Sequence, residues 1–390
     1  VRVRGKISVP GFLAGGISAG IKHGKDMDLA MIVCQTQAVT AGVFTTNAVK
    51  AAHVLLDMER LKRGKCQAIL INSGCANACT GKRGLEDARK VSRVAARCLG
   101  IPEKLVLVAS TGLIGTPLPV EKISRGIKKL VPSLSPDGLS RAARSIMTTD
   151  TFPKVVLNKT RDFSIAGIAK GAGMIHPRMA TMLCFILTDA LIEWEVLKSA
   201  LRRSVEGSFH RISVDGDMST NDSVIIMSSG RQPLGKRGIG YFQDSLDEVT
   251  FRLSEMIVED AEGATKKVEI IVKGAATLLD ARRVAERIAV SPLVKTAIFG
   301  EDPNWGRIMA AIGSSGVQVS QDKIDIFYDK VQVVRHGKRY GGGCEARAKR
   351  VLKSDFPRII VNLNTGKAQL RLLTCDLTED YIKINAAYHT

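Results

Sequence analysis

Over residues 170–183 the chain reads KGAGMIHPRMATML, in which a Gly-Ala-Gly turn and Pro177 break one strand before a second starts at Thr181. A threonine in that place can follow a strained peptide, and its hydroxyl is then a candidate nucleophile. The same residues equally read as a β-turn followed by a good strand former, and local pattern leaves both open. His176, next to the turn, reads as part of it and not as a general base. A second candidate cluster is Cys75 and Cys79 in the small-residue loop NSGCANACTG, where metal or redox chemistry is conceivable. No further Cys or His pair at ligand spacing completes a zinc site, so no metal is expected. The other cysteines, at 34, 66, 98, 184, 344 and 375, lie mostly in apolar stretches and read as buried free thiols.

The elements that must position these residues alternate along the chain. Strand-like apolar runs at 28–33, 66–72 and 104–110 are interleaved with helix-period stretches at about 49–63, 82–99 and 119–130. A helix starting near Pro136 leads to an alternating strand, FSIAGIAK, which ends at the glycine-rich turn; the strand TMLCFILTDA follows directly. The second half repeats the style, with helices at about 193–208, 243–260 and 276–289, strands VEIIVKG and RIIVNLN, and a closing polar strand, DYIKINAAYHT. The expected fold is a layered α/β sandwich in two lobes. It is not a Rossmann fold, because no GxGxxG follows a strand and opens a helix. P-loop, GxSxG and HExxH motifs are also absent.

Composition narrows the function classes. With 45% hydrophobic and 24% charged residues, the 390-residue chain can build a real core. Its apolar runs are far shorter than the roughly 20 residues of a membrane helix, so no membrane association is expected. The opening VRVRGKISVP lacks the apolar block of a secretory signal, which makes the cytoplasm the expected compartment. A formal charge of +19 would suit anions or nucleic acid. The basic residues are scattered singly along amphipathic segments, however, and aromatics make up only 5% of the chain, so a nucleic-acid platform is not expected.

The block around Thr181 resembles the hallmark of the ornithine acetyltransferase family, also called glutamate N-acetyltransferase, an enzyme family of arginine biosynthesis. The resemblance covers nearly the whole chain, through PGFLAGGISAGIK near the start, NSGCANACTG from 72, STGLIG from 110, MTTDT from 147, SVDGDMSTND from 213, DAEGATK from 260, GEDPNWGRI from 300 and the final INAAYHT. It implies self-cleavage between Ala180 and Thr181, giving an N-terminal chain of residues 1–180 and a C-terminal chain of residues 181–390. Thr181 would then be the nucleophile, with its new α-amine as base. The resemblance further implies Thr111 and Gly112 as oxyanion donors, and Thr148, Lys170, Thr181, Glu262, Asn385 and Thr390 as substrate-binding residues.

The implied reaction moves acetyl from N-acetylornithine to glutamate through an acetyl-Thr181 intermediate. Acetyl-CoA is a possible second donor, no cofactor is required, and the implied assembly holds two copies of each chain. Two departures from the family pattern stand out: Cys75 where Asn is usual, and Ala387 and His389 where an acid and Arg are common. Two rivals remain at this point. One is a related self-processing amidohydrolase or aminopeptidase that passes the acyl group to water; the other is a basic nucleic-acid-binding protein whose Thr181 turn is purely structural.

Overall fold

The computed structural model describes residues 6–22, 24, 26–176, 182–235 and 238–387. Eight strands share one sheet: β1 (Phe12–Ile17), β2 (Leu29–Phe44), β3 (Lys65–Cys75), β4 (Val106–Leu113), β5 (Lys154–Lys159), β6 (Ser164–Lys170), β7 (Leu183–Leu191) and β8 (Ser223–Pro233). Their order is β4-β3-β2-β8-β7-β6-β5, with β1 beside the first half of β2. The β3–β4 and β7–β8 pairs are parallel and the others antiparallel.

The sheet is apolar on both faces because successive side chains point to opposite sides and both are covered. Ile69 and Ile71 of β3 enter one core with Ile32 of β2 and Phe185 of β7, whereas Leu70 joins Met31 and Val108 in a second. Helices α1 (Ala52–Arg60), α2 (Gly81–Leu99) and α3 (Val120–Leu130) belong to the half made by β2 to β4, and α4 (Leu139–Ser145) packs on β1. Helix α2 buries Gly84, Ala88, Val91 and Ala95, a three-to-four-residue stripe, and stops at Gly100 in the left-handed conformation. The other half carries α5 (Trp194–Gly207) and α6 (Gly238–Glu259) on a third core. Strand β2 joins the halves: it pairs with β1 and β3 over its first residues and, after a register break between Val33 and Ala38, with β8.

A smaller lobe follows α6. Strands β9 (Lys267–Ala275), β10 (Asp325–Tyr328), β11 (Val331–Arg335), β12 (Lys338–Arg339), β13 (Arg358–Asn362) and β14 (Ala368–Cys375) form its sheet. Helices α7 (Leu278–Ala289), α8 (Pro292–Phe299), α9 (Trp305–Gly313) and α10 (Cys344–Leu352) enclose its core. Leu373 and Cys375 of β14 reach into the core of the large lobe, and Ser213 donates its N–H to the Leu373 carbonyl, so the lobes share a packed seam.

The layered two-lobed α/β architecture agrees with the sequence expectation, and so does the absence of a Rossmann arrangement. The closing segment does not agree. The expected strand DYIKINAAYHT is helical over its described part, α11 (Glu379–Ala387). Ile382 and Ile384 alternate with polar neighbours like a half-buried strand, but no residue of α11 is buried, so there is no face for that alternation to serve. Thr378 followed by Glu379 and Asp380 is a helix start: the Thr378 hydroxyl accepts from the Tyr381 N–H at 3.4 Å, and two acids sit in the first turn.

Candidate active site

One end of the large sheet gathers those of the chain positions singled out by sequence that fall among the described residues. Gly74 at the end of β3 pairs with Gly112 at the end of β4, Lys170 at the end of β6 pairs with Leu183 at the start of β7, and Leu183 pairs with Ser223 at the start of β8. A cleft opens there, lined by Thr111, Gly112, Thr148, Lys170, Glu262 and Asn385, with Gly173, Met174 and Asn221 beside them. Residues from both lobes therefore face one space. Ala180, Thr181 and Thr390 lie outside the described residues. Met182, next in sequence after Thr181, is buried.

Backbone shape explains two of the glycines. Gly112 has φ +126°, and a Cβ there would sit 2.4 Å from the Gly74 carbonyl carbon of the paired strand, so only glycine fits. A Cβ on Gly173 would meet the Glu262 carboxylate, also at 2.4 Å. Glu262 is held against that turn because its N–H donates to the Ala172 carbonyl at 3.0 Å. The Asn385 amide of α11 donates to Glu262 Oε2 at 2.9 Å, which aims one carboxylate oxygen.

Lys170 is 3% exposed and its ammonium donates to Thr111 Oγ1 (4% exposed) at 3.3 Å. Burial lowers the Lys170 pKa, against the pull of Asp150, Glu262 and Asp222. Beneath it lies a fully buried charge cluster. Lys154 donates to Asp150 Oδ1 at 2.7 Å and to Asp260 Oδ2 at 2.5 Å. Burial alone would raise the Asp150 carboxyl, but Lys154 and Lys170, together with the Gly171 N–H, hold it at about 2. Asp150 then accepts from the Thr148 N–H at 2.9 Å and the Gly171 N–H at 2.7 Å, so one carboxylate fixes two walls of the cleft.

The other cleft of note belongs elsewhere. It is larger, about 870 Å³, and is lined by Arg60, Lys62, Arg63, Lys65 and Lys104. It lies at the opposite end of β3 from Cys75, roughly 30 Å away at about 3.3 Å per residue. Cys75 is buried and its thiol donates to the Thr116 carbonyl at 3.4 Å, and no group of His, Cys, Asp and Glu able to hold a metal occurs among the described residues.

The family model described as the ArgJ family matches residues 13–390. An arginine biosynthesis bifunctional protein ArgJ of Geobacter sulfurreducens is 49% identical over 393 residues, spanning 98% of this chain and 100% of that one. The chain belongs to the ArgJ family. A relative of the same name from Caldanaerobacter subterraneus is 49% identical over 400 residues, spanning 99% of each. Among solved structures, an ornithine acetyltransferase of Mycobacterium tuberculosis complexed with ornithine is 38% identical, with a TM-score of 0.44, over 45% of this chain and 96% of that one.

Several residues that build this ArgJ-family cleft lie in or near the blocks MTTDT and SVDGDMSTND without being among the site residues that the sequence resemblance implies. Asp150 comes from the first; its partner Lys154 lies three residues beyond that block, and Asp260 opens DAEGATK. From the second, Asp215 accepts the N–H groups of Met174 (2.6 Å) and Ile175 (2.9 Å). It holds Met174 at φ +56°, which a non-glycine residue adopts only under constraint. The Asn221 amide donates to the Ala76 carbonyl at 2.7 Å and the Ser110 carbonyl at 2.8 Å, and Asp222 accepts the Met182 N–H at 2.8 Å. An aspartate followed by further small polar residues between two strands was the available signal; its partners are 40 or more residues away and invisible in the local pattern.

Proposed function

We propose that this ArgJ-family chain is an acetyltransferase of arginine biosynthesis that cuts itself between Ala180 and Thr181 and uses Thr181 as nucleophile. The observation that carries the reading is the cleft itself. Thr111, Gly112, Thr148, Lys170, Glu262 and Asn385, drawn from distant parts of the chain, line one space where β6 ends and β7 begins. The relatives' name as bifunctional proteins of arginine biosynthesis supports the same assignment.

In the proposed reaction the α-amine of Thr181, with an ordinary pKa near 7.7–8.0, takes the proton of its own hydroxyl. The Oγ1 attacks the acetyl carbonyl of N-acetylornithine. The oxyanion accepts from the Thr111 hydroxyl and the Gly112 N–H, and Lys170 next to Thr111 adds positive charge where negative charge develops. The C–N bond then breaks, the leaving amine takes the proton back, and acetyl remains on Thr181. Glutamate's amine attacks that ester by the reverse steps and leaves as N-acetylglutamate. A carboxylate such as Glu262 suits the side-chain ammonium of ornithine, and Lys170 suits an α-carboxylate. Thr148, Asn385 and Thr390 complete the substrate wall.

No cofactor enters these steps; acetyl-CoA is a further acetyl donor within the same chemistry. The active species is an assembly of two N-terminal and two C-terminal chains in the cytoplasm. The test compares the intact mass and the acetyl transfer of the parent with those of Thr181→Ala. Two fragments divided at 180/181 and N-acetylglutamate as product are expected for the parent, with one uncut, inactive chain for the variant. An uncut but active parent, or free acetate as the only acyl product, overturns the reading.

A further inference from the structure

The second cleft, at the far end of β3, holds charge that its surroundings do not balance. Five cations line it, Arg60, Lys62, Arg63, Lys65 and Lys104, against one acid, Glu59. They come from three places in the chain: the last residue of α1, the turn Lys62-Arg63-Gly64-Lys65 that leads into β3, and the single 3-10 turn Glu103–Leu105 ahead of β4. Gly64 makes the first turn possible. Its φ is +62°, its N–H donates to the Leu61 carbonyl at 2.9 Å, and a Cβ there would sit 2.4 Å from the Trp194 ring. Arg60 forms a fixed floor, with its side chain only 8% exposed. Its guanidinium donates to the Val106 carbonyl, to Ser92 Oγ at 3.0 Å and to Glu103 Oε1 at 3.0 Å.

Ion pairing within the protein consumes the acids and leaves four of the cations. Glu103 is shared by Arg60 and Arg93, and Glu59 pairs with Arg89 at 3.5 Å. Among the described residues no carboxylate pairs with Lys62, Arg63, Lys65 or Lys104. A helix dipole ordinarily accounts for basic residues just past a helix end, and it accounts for Lys62 and Arg63. It does not account for Lys65, which pairs with Val39 in the sheet, or for Lys104 ahead of β4. Unbalanced like charges around one cavity of about 870 Å³ repel one another, and an anion seated among them relieves that repulsion.

The lining also selects the anion. Ammonium and guanidinium groups together suit phosphate oxygens, and four of them exceed the needs of a single phosphate. No aromatic side chain is among the lining residues, so a nucleobase would have nothing to stack on. We propose that this cleft binds a small anion carrying two or more linked phosphate groups, with Lys62, Arg63, Lys65 and Lys104 on the phosphates. The length of β3, roughly 30 Å, separates such a ligand from the active cleft, so it binds there without being a reactant. The proposal holds whether or not the chain is cut.

The test is titration calorimetry of the whole protein with tripolyphosphate. It compares the parent with Arg63→Glu/Lys104→Glu and with a control, Lys128→Glu/Lys129→Glu, which changes net charge equally on exposed residues of α3. Parent and control are expected to bind saturably, more weakly as salt rises. The cleft variant is expected to lose affinity roughly a hundredfold, because two charge-assisted contacts to phosphate are gone. ATP is expected to match tripolyphosphate, its adenine unsupported, and orthophosphate to bind far more weakly. Thermal midpoints on the same samples report folding, and tripolyphosphate is expected to raise those of the parent and control but not that of the cleft variant. If the charge reversal prevents folding, Arg63→Gln/Lys104→Gln takes its place, with a loss of affinity again expected. No saturable binding, an equal loss in both pairs of substitutions, or orthophosphate binding as tightly as tripolyphosphate overturns the proposal. A single-stranded oligonucleotide that displaces tripolyphosphate at lower concentration than ATP does would mark a nucleic-acid surface, and overturns it too.

Discussion

Thr111 is a hydroxyl with one proton to give, and its oxygen already accepts from Lys170. That leaves the proton free to point into the cleft, polarised by the ammonium behind it. Removing an oxyanion donor costs about 2.7–4 kcal/mol, so Thr111→Ala is expected to lower kcat roughly a hundred- to a thousand-fold with the thermal midpoint little changed. Thr111→Ser, which restores the hydroxyl, is expected to recover most of it; steady-state kinetics on purified variants checks both. A rate unchanged in Thr111→Ala would remove Thr111 from the reaction. The participants in this cleft were legible from sequence only through ordered blocks spread over the whole chain. Lys170 taken alone reads as a solvated surface charge, because sequence does not display the 3% exposure or the hydroxyl at 3.3 Å.

Between residue and lobe, the segment around the proposed cut is clamped on each side by an aspartate of one loop. Asp215 holds Met174 and Ile175 before it and Asp222 holds Met182 after it, and the Tyr381 hydroxyl donates to Asp215 at 3.3 Å from the far lobe. The same loop is braced from α1, where His53 Nε2 lies 3.2 Å from the Asn221 carbonyl oxygen. His53 is fully buried and its Nδ1 has no partner among the described residues, so burial lowers its pKa from 6.5 to about 4. The folded state thus refuses a proton that the unfolded chain accepts. The stability this group contributes is complete above pH 6.5 and drains as pH falls toward 4.

At pH 4.5 the loss from His53 amounts to roughly 2–3 kcal/mol. Urea unfolding at pH 7 and pH 4.5 is expected to show that much more acid destabilisation in the parent than in His53→Gln, while Asp215 and Asp222 change both proteins alike. Equal pH dependence in the two would contradict it. The helices with a clear apolar stripe, α2, α3 and α5, were readable within a residue or two because their stripes are continuous. The last element was misread because α11 packs through its ends and side-chain hydrogen bonds and buries no residue, so no apolar period marks it.

Across the whole molecule, the position of the proposed cut falls inside the connectivity of one sheet. Strand β6, before it, pairs with β7, after it, from Ile165↔Thr188 to Lys170↔Leu183, and β8 pairs with β2 from Val39↔Ser228 to Phe44↔Ser223. The two chains would share the core that holds Ile32 and Ile69 with Phe185 and Ile225. The proposed cleavage would break one peptide bond and none of these ladders. Two bands on a denaturing gel but a single species in native mass spectrometry are therefore expected; separation of the pieces without denaturant would contradict the shared sheet. A sequence reading could supply both lobes' ingredients, but not that one sheet draws strands from both sides of residue 180, since long-range pairing leaves no local trace.

The β6–β7 pairing also changes what unfolding means before and after the cut. An intact chain that loses its structure still holds its two halves on one tether, and refolding is an event within one molecule. With the chain cut as proposed the tether would be gone, and the halves would have to find each other in solution to restore the ladder between Lys170 and Leu183. Recovery would then depend on concentration, and the cut molecule would last as long as it avoided opening, which would make its durability a matter of rate rather than equilibrium.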